Sequence, residues 1–315
     1  MISSSFTLND AEGVEVFVRR FEPDSGAPKA VVQISHGVGE HSGRYAWTAE
    51  RFCAAGYACY ADDHRGHGKT AEGTGGLGRL GPGGWDACVR DLALVSDRAN
   101  ADHPGLPLFL LGHSWGSHLA QDYVQRWGAR LAGLVLTGST GRLPFTVTGI
   151  GAVFSWIMVH LLGPETPSSL ADKLVFEGYN KPYEPSPTNS KADWTSRDPE
   201  EVRAIVDDPL CNAPQSTLMS LEMSLAYRRL WREENEARIP KALPILIMSG
   251  TEDATNAHLA DLKPLAERYR NKFSIVDVTE KYYEGARHCV LHETNKEEVT
   301  ADCLTWLDAH YADAV

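Results

Sequence analysis

The chain has 315 residues, 43% hydrophobic and 23% charged, the balance of a globular protein with room for one large domain and an insertion. A formal net charge of −12 argues against nucleic acid as a partner and against strong adsorption to anionic membranes, because both need a basic face. Cys53, Cys59, Cys88, Cys211, Cys289 and Cys303 form no Cys-x-x-Cys pair and no metal-ligand spacing, and no basic-then-apolar leader is visible, so the expectation is a cytoplasmic protein with buried thiols.

In chain order, Phe6 to Asn9 and Val14 to Phe21 read as paired strands around Glu12-Gly13. Ala30 to Ser35 is an apolar run ending in His36-Gly37-Val38-Gly39-Glu40-His41. A helix follows from about Tyr45 to Ala55, then a strand from Tyr57 to Ala61 leading into Asp62-Asp63-His64-Arg65-Gly66-His67-Gly68. Trp85 to Ala101 reads as a helix, Pro107 to Leu111 as a buried strand, and Leu119, Ala120, Tyr123, Val124 and Trp127 recur at helical spacing. Ala132 to Thr137 is the next strand. The pattern then lapses and resumes with a strand at Leu243 to Ser249, a helix at His258 to Tyr269, a strand at Phe273 to Val278 and a helix at Glu297 to Tyr311. This alternation predicts an α/β fold with a mostly parallel central sheet and helices on both faces. Residues 1–141 and 241–315 form its core, and 142–240 form an inserted, mainly helical cap.

Leu143 to Gly163 carries no Asp, Glu, Lys or Arg and is long enough to span a membrane. Its apolar residues nevertheless form a stripe at helical spacing, and the soluble pattern resumes after it. A cap helix facing an apolar pocket is expected, with Ile150, Phe154, Ile157 and Met158 touching substrate. Transient contact with lipid surfaces is a compatible variant.

The chemistry centres on Gly112-His113-Ser114-Trp115-Gly116. Gly-x-Ser-x-Gly between a strand and a helix makes a nucleophile elbow, with Ser114 at a sharp turn and on a helix N-terminus. Acyl transfer further needs a base, a group that orients the base, and donors for the oxyanion. Asp253 follows the strand that ends near Met248, with Glu252 as its rival. His288 lies after the next strand, with His292 as its rival. The amides of Val38 and Trp115 are the expected oxyanion donors. Gly76-Leu77-Gly78-Arg79-Leu80-Gly81 matches a dinucleotide fingerprint only by letter, since it follows no strand and precedes Pro82. Asp62, Asp63, His64 and His67 fit no standard metal spacing. No cofactor and no metal are expected.

His36 to Tyr45, Asp63-His64-Arg65-Gly66-His67-Gly68 and Gly112 to Gly116 together resemble the monoacylglycerol lipase and lysophospholipase group of the α/β-hydrolase superfamily, also filed with the serine aminopeptidases. The resemblance runs from about Val14 to Tyr311. In the inserted segment, Tyr179-Asn180-Lys181-Pro182, Trp194-Thr195-Ser196-Arg197-Asp198 and Asp208-Pro209-Leu210 resemble bacterial members. It implies an α/β-hydrolase fold, a Ser114–Asp253–His288 triad, and a role for Glu40 and Arg44 in holding a glycerol head. Trp115 is bulkier than is common after the nucleophile, which implies a narrowed acyl tunnel. Cys289 and the displaced His292 depart from the pattern around the head group. The expected activity is cleavage of lipid monoesters, monoacylglycerols or lysophospholipids. Small non-lipid esters, thioesters, peptide N-termini, and a non-catalytic binding role on the same fold are the alternatives.

Overall fold

The computed structural model describes residues 1–186 and 188–314. Eight strands build one sheet: β1 Ile2–Asn9, β2 Glu15–Glu22, β3 Ala30–Ser35, β4 Tyr57–Asp62, β5 Leu108–His113, β6 Gly133–Thr137, β7 Ile245–Gly250 and β8 Val278–Tyr283. Their spatial order is β1-β2-β4-β3-β5-β6-β7-β8. β1 pairs antiparallel with β2, β2 pairs antiparallel with β4, and every pairing from β4 to β8 is parallel.

The central strands are buried on both sides, so they read as continuous apolar runs. Their side chains alternate between two cores. Leu108, Leu110, Leu134, Leu136, Ile245 and Ile247 face one. Phe109, Leu111, Val135, Leu246 and Met248 face the other. Helices α2 Gly84–Asp102 and α3 Trp115–Trp127 close the first face through Trp85, Leu92, Leu119 and Tyr123. Helices α1 Ala46–Ala54 and α10 Lys296–Ala314 close the second through Phe52, Val299 and Trp306.

Between β6 and β7 lie α4 Phe145–Leu162, α5 Ser169–Asn180, α6 Pro199–Asp207, α7 Thr217–Leu230 and α8 Glu233–Glu236, and the described residues of this span add no strand to the sheet. The segment is not detached from the core. Met219, Ala226 and Leu230 of α7 pack into the same cluster as Trp85 and Leu119.

Helix α4 forms where expected but faces the other way. Thr148, Ala152 and Ser155 are buried, and Gly151 lies near Ser224 of α7. Ile150 and Leu161 are 70% and 74% exposed, and Val153, Phe154 and Ile157 are exposed with them. The small side lets α4 approach α7 closely, and the large apolar residues turn outward. No helix of the described residues is long and apolar enough to cross a membrane.

Two C-terminal elements are displaced from their expected places. The helix expected at 258–269 shrinks to α9 Lys263–Glu267, followed by a π turn over Arg268–Lys272. Ala257, His258 and Leu259 have positive φ, and Asn256 Oδ1 accepts from the Leu259 amide, so a bonded loop replaces the first turns. The strand expected at 273–278 is instead β8. The Ile275 amide donates to Tyr269 and that of Val276 to Lys241, which keeps this stretch off the sheet. β8 is an edge strand carrying Thr279, Glu280 and Lys281, and such a strand has a weak apolar signal.

The parallel strands deliver their following loops to one edge, where open α/β sheets carry functional groups. Gly250 ends β7 and leaves room for the loop that follows β8. A Cβ there would overlap the Ala286 carbonyl. Gly250→Ala is expected to destabilise the chain by about 1–3 kcal/mol through overpacking, read as a lower urea midpoint with an unchanged m-value.

Candidate active site

Ser114 sits between β5 and α3 with φ 52° and ψ −122°, a backbone strained for a residue with a side chain. The turn is held from both sides. A Cβ on Gly112 would come within 2.7 Å of the Gly116 oxygen and the Ser117 Cα. A Cβ on Gly116 would overlap the carbonyls of Ser35 and His36. The Ser114 amide donates to the Thr137 carbonyl at 2.9 Å, which pins the apex to β6.

Three residues distant in sequence meet here. His288 Nε2 lies 2.8 Å from Ser114 Oγ. Its Nδ1 lies 3.1 and 3.0 Å from the two Asp253 oxygens. Asp253 is buried and also accepts from the Thr255 amide and hydroxyl at 2.9 and 2.8 Å and from Asn256 Nδ2 at 3.2 Å. Burial alone would raise its pKa. The His288 ring and the Thr255 donors more than offset that and hold it below the ordinary aspartate range. The rivals lie elsewhere. Glu252 faces His258 at 3.4 Å, and His292 pairs with Glu201 at 3.3 Å.

The loop after β3 is shaped by a buried carboxylate. Glu40 accepts from the Gly37 amide and the Tyr45 hydroxyl, both at 2.7 Å, and from Arg44 Nε at 3.0 Å. Burial opposes its charge, but His113 when protonated, and Arg44 at neutral pH, bring its pKa to about 2. Glu40 lines the cavity described below, whereas Arg44 does not. Among the described residues, the Val38 and Trp115 amides take no backbone acceptor in loops or caps, and Trp115 opens α3, where the first amides have no intrahelical partner.

A cavity of about 520 Å³ opens onto Ser114 and His288. Val38, Phe176, Trp194, Ile205, Val206 and Pro214 give it an apolar lining. Ile150, Phe154, Ile157 and Met158, expected here, do not line it, because α4 turns that face outward. Trp115 does not narrow it either. The Trp115 indole is buried against His67 and Trp85, with ring centres 5.2 and 6.0 Å away.

A sequence model of the serine aminopeptidase, S33, family matches residues 26–295. The chain belongs to this family. It is similar to the monoacylglycerol lipase of Mycolicibacterium smegmatis, 30% identical over 95% of this chain and 94% of that one. The human monoglyceride lipase is 32% identical over 91% of this chain and 83% of its own length. Among solved structures, a thermostable carboxyl esterase from Bacillus coagulans in complex with glycerol superposes with a TM-score of 0.88, at 25% identity and 99% coverage of both chains. The fold is that of the α/β-hydrolases, and the chain is a carboxylic ester hydrolase.

In this family member, several polar clusters near the elbow are structural. His64 Nδ1 bonds Asp62 at 2.7 Å, and its Nε2 bonds Ser35 at 3.0 Å. Asp63 accepts from the Ser42 and Lys69 amides at 2.9 and 2.8 Å. The metal-compatible trio among the described residues is His41, Asp208 and Cys211, with ligand atoms within 4.8 Å of one another. His41 Nδ1 accepts from the Gly43 amide at 3.1 Å, so its Nε2 carries the proton donated to Asp208 at 2.9 Å. Binding a metal at that nitrogen would require an imidazolate. The trio is better suited to clamp the inserted segment to the loop after β3. The Asn212 amide reinforces that clamp by donating to the Gly39 carbonyl at 2.8 Å.

Sequence reasoning passed over His113, Thr255 and Asn256. His113 is buried, with its ring centre 4.9 Å from His288, and bonds Thr137 at 3.1 Å and Cys289 at 3.4 Å. Burial, with His288 adding to it, depresses its pKa to about 3, so it stays neutral. The available signal was its place as the last residue of β5, directly before Ser114. Thr255 Oγ1 touches both Asp253 and His288, at 2.8 and 3.1 Å.

Thr255→Val is expected to lower kcat on a soluble ester about tenfold or less, the worth of one hydrogen bond, with KM little changed in steady-state kinetics. Glu40 has a folded pKa below its ordinary 4.5, so its charge stabilises the fold fully above that pH and loses this effect as pH falls toward 2. Glu40→Gln is expected to destabilise the fold at pH 7, where Arg44 would lose its charged partner, and to flatten the decline of urea-unfolding stability as pH falls below 4.5.

Proposed function

We propose that the chain is a serine esterase that cleaves lipid monoesters through an acyl-enzyme on Ser114. The observation that carries this reading is the apolar cavity opening onto the hydrogen-bonded Ser114–His288–Asp253 row. The lipase activity of the mycobacterial and human relatives agrees with it. Six free, buried cysteines favour a reducing compartment.

Ser114 Oγ attacks the ester carbonyl carbon. As the O–C bond forms, the serine proton moves to His288 Nε2, and the carbonyl π electrons pass to the oxygen. The amides of Val38 and Trp115 receive that oxyanion, and the α3 N-terminus favours its charge. Asp253 holds the Nδ1–H tautomer and balances the imidazolium. Collapse of the intermediate breaks the bond to the alcohol, which leaves with the Nε2 proton. Water then attacks the acyl carbon and gives a proton to His288 Nε2, and collapse breaks the bond to Ser114 Oγ, which takes that proton back as the fatty acid leaves.

Glu40 is a poor anchor for a peptide ammonium, because its oxygens already accept from Gly37, Tyr45 and Arg44. Its role is to set the oxyanion loop. This favours esters over peptide N-termini. The outward apolar face of α4, with Ile150 and Leu161, docks on uncharged or zwitterionic lipid surfaces, since the net charge of −12 disfavours anionic ones.

Ser114→Ala is expected to lower kcat roughly 10⁶-fold and to abolish labelling by a fluorophosphonate. A series of p-nitrophenyl esters run beside monoacylglycerols and aminoacyl anilides tests the substrate class. Rising kcat/KM with acyl length is expected. Cleavage confined to the shortest esters or to anilides would sink the lipid reading. The pair Ile150→Glu and Leu161→Glu is expected to weaken co-sedimentation with phosphatidylcholine vesicles while leaving hydrolysis of a soluble ester unchanged.

A further inference from the structure

We propose that Trp194, from the inserted segment, is a positioning residue for His288: its indole holds the imidazole in line with Ser114 and stabilises the cation formed when the imidazole takes the serine proton. The proposal rests on the serine-hydrolase reading above and extends it to a residue outside the triad.

The Trp194 and His288 ring centres are 5.0 Å apart, with planes inclined by 37°. That is within the range over which an indole attracts a cation. Trp194 is itself braced. Its ring stacks on Phe176 at 5.8 Å and 19°, and meets Tyr179 at 5.5 Å. Its amide donates to Asn180 Oδ1 at 3.1 Å.

The main chain around Trp194 is stitched to the loop that carries His288. The amides of His288 and Cys289 donate to the carbonyls of Trp194 and Thr195, at 3.4 and 2.7 Å. Arg287 Nη1 donates to the carbonyls of Asp193 and Ser196, at 2.5 and 3.0 Å. Ser196 Oγ donates to the His292 carbonyl at 2.7 Å. The fully buried Glu293 accepts from the amides of Arg197 and Arg287, at 3.0 and 2.9 Å, and from Arg197 Nε at 2.9 Å. Residues 193–197 therefore act as a strap across the loop, and the indole is fixed relative to the ring it meets.

A catalytic imidazole must hold a proton briefly in a site with little water. Asp253 supplies charge at one ring edge. His113 is adjacent but stays neutral, so it adds no second cation. Trp194 supplies the negative face of an aromatic ring, which favours imidazolium over imidazole.

The test compares Trp194→Leu, which keeps an apolar side chain but no ring, with Trp194→Phe, on a short soluble ester. Trp194→Leu is expected to lower kcat about tenfold with KM changed less than about twofold, and Trp194→Phe to recover to within about threefold of wild type. In Trp194→Leu the acidic limb of kcat/KM against pH is expected to move to lower pH. A merely loosened, wetter site would move it upward, because water solvates the imidazolium. The titratable and polar groups that meet the ring are Ser114 and His113 from the elbow and Asp253 and Thr255 after β7, and His118 of α3 lies within electrostatic reach of it. All are unchanged in both variants. Fluorinated tryptophan at position 194 alone keeps the ring's shape while draining its face, and is expected to shift the limb the same way in an intact fold. An unmoved or raised limb, or a rise in KM alone, overturns the proposal. Fluorophosphonate capture of Ser114 separates the two readings. If wild type is labelled yet hydrolyses no lipid ester, the substrate reading fails, whereas equal labelling rates in wild type and Trp194→Leu overturn the role of Trp194.

Discussion

The close backbone approach at the elbow is the constraint on which the site depends. Gly116 lies against the carbonyls of Ser35 and His36, and Gly112 lies against the first turn of α3. Only residues without a Cβ permit that contact, and it holds Ser114 at positive φ. The same contact sets the distance between β5 and the loop after β3. Ser114, the start of α3 and the Val38 loop are therefore one packed unit.

Three buried carboxylates beside that unit are each surrounded by donors. Asp253 is surrounded by donors from Thr255, Asn256 and His288. Glu40 spends its oxygens on one amide, one hydroxyl and one guanidinium. Glu293 does the same for the loop carrying His288. An isolated buried carboxylate would be protonated or would disrupt the site. Here each one fixes a loop whose backbone has no strand or helix to hold it. The loops at the sheet edge owe their shape to carboxylates, and the sheet owes its shape to aliphatic side chains.

The segment between β6 and β7 belongs to the site as much as to the surface. α7 shares the main core, residues 193–197 bind the His288 loop, and Asp208 and Asn212 tie down the loop after β3. Its large apolar residues outside the core divide between two places. Phe176, Trp194, Ile205 and Val206 line the cavity, while Ile150, Val153 and Leu161 face outward.

The order of strands and helices was legible because buried parallel strands are unbroken apolar runs and the flanking helices repeat at their own period. The elbow turn was legible from its glycines between a strand and a helix, and Asp253 and His288 were expected near it from the residue types that acyl transfer needs after particular strands. Three features were not. The direction of α4 depended on which side could approach α7, and the small residues Gly151, Ala152 and Ser155 decided it against the larger apolar stripe. The register of β8 depended on hydrogen bonds from Ile275 and Val276 to Tyr269 and Lys241, which no local pattern encodes. The contacts of His113, Thr255 and Trp194 with His288 join residues from separate parts of the chain, and packing alone brings them together. Sequence by itself determined which groups were available for chemistry, since covalent type and local periodicity are written residue by residue. Tertiary structure decided which of them share a site and which face solvent, because burial and hydrogen bonding are settled between distant segments competing for the same contacts.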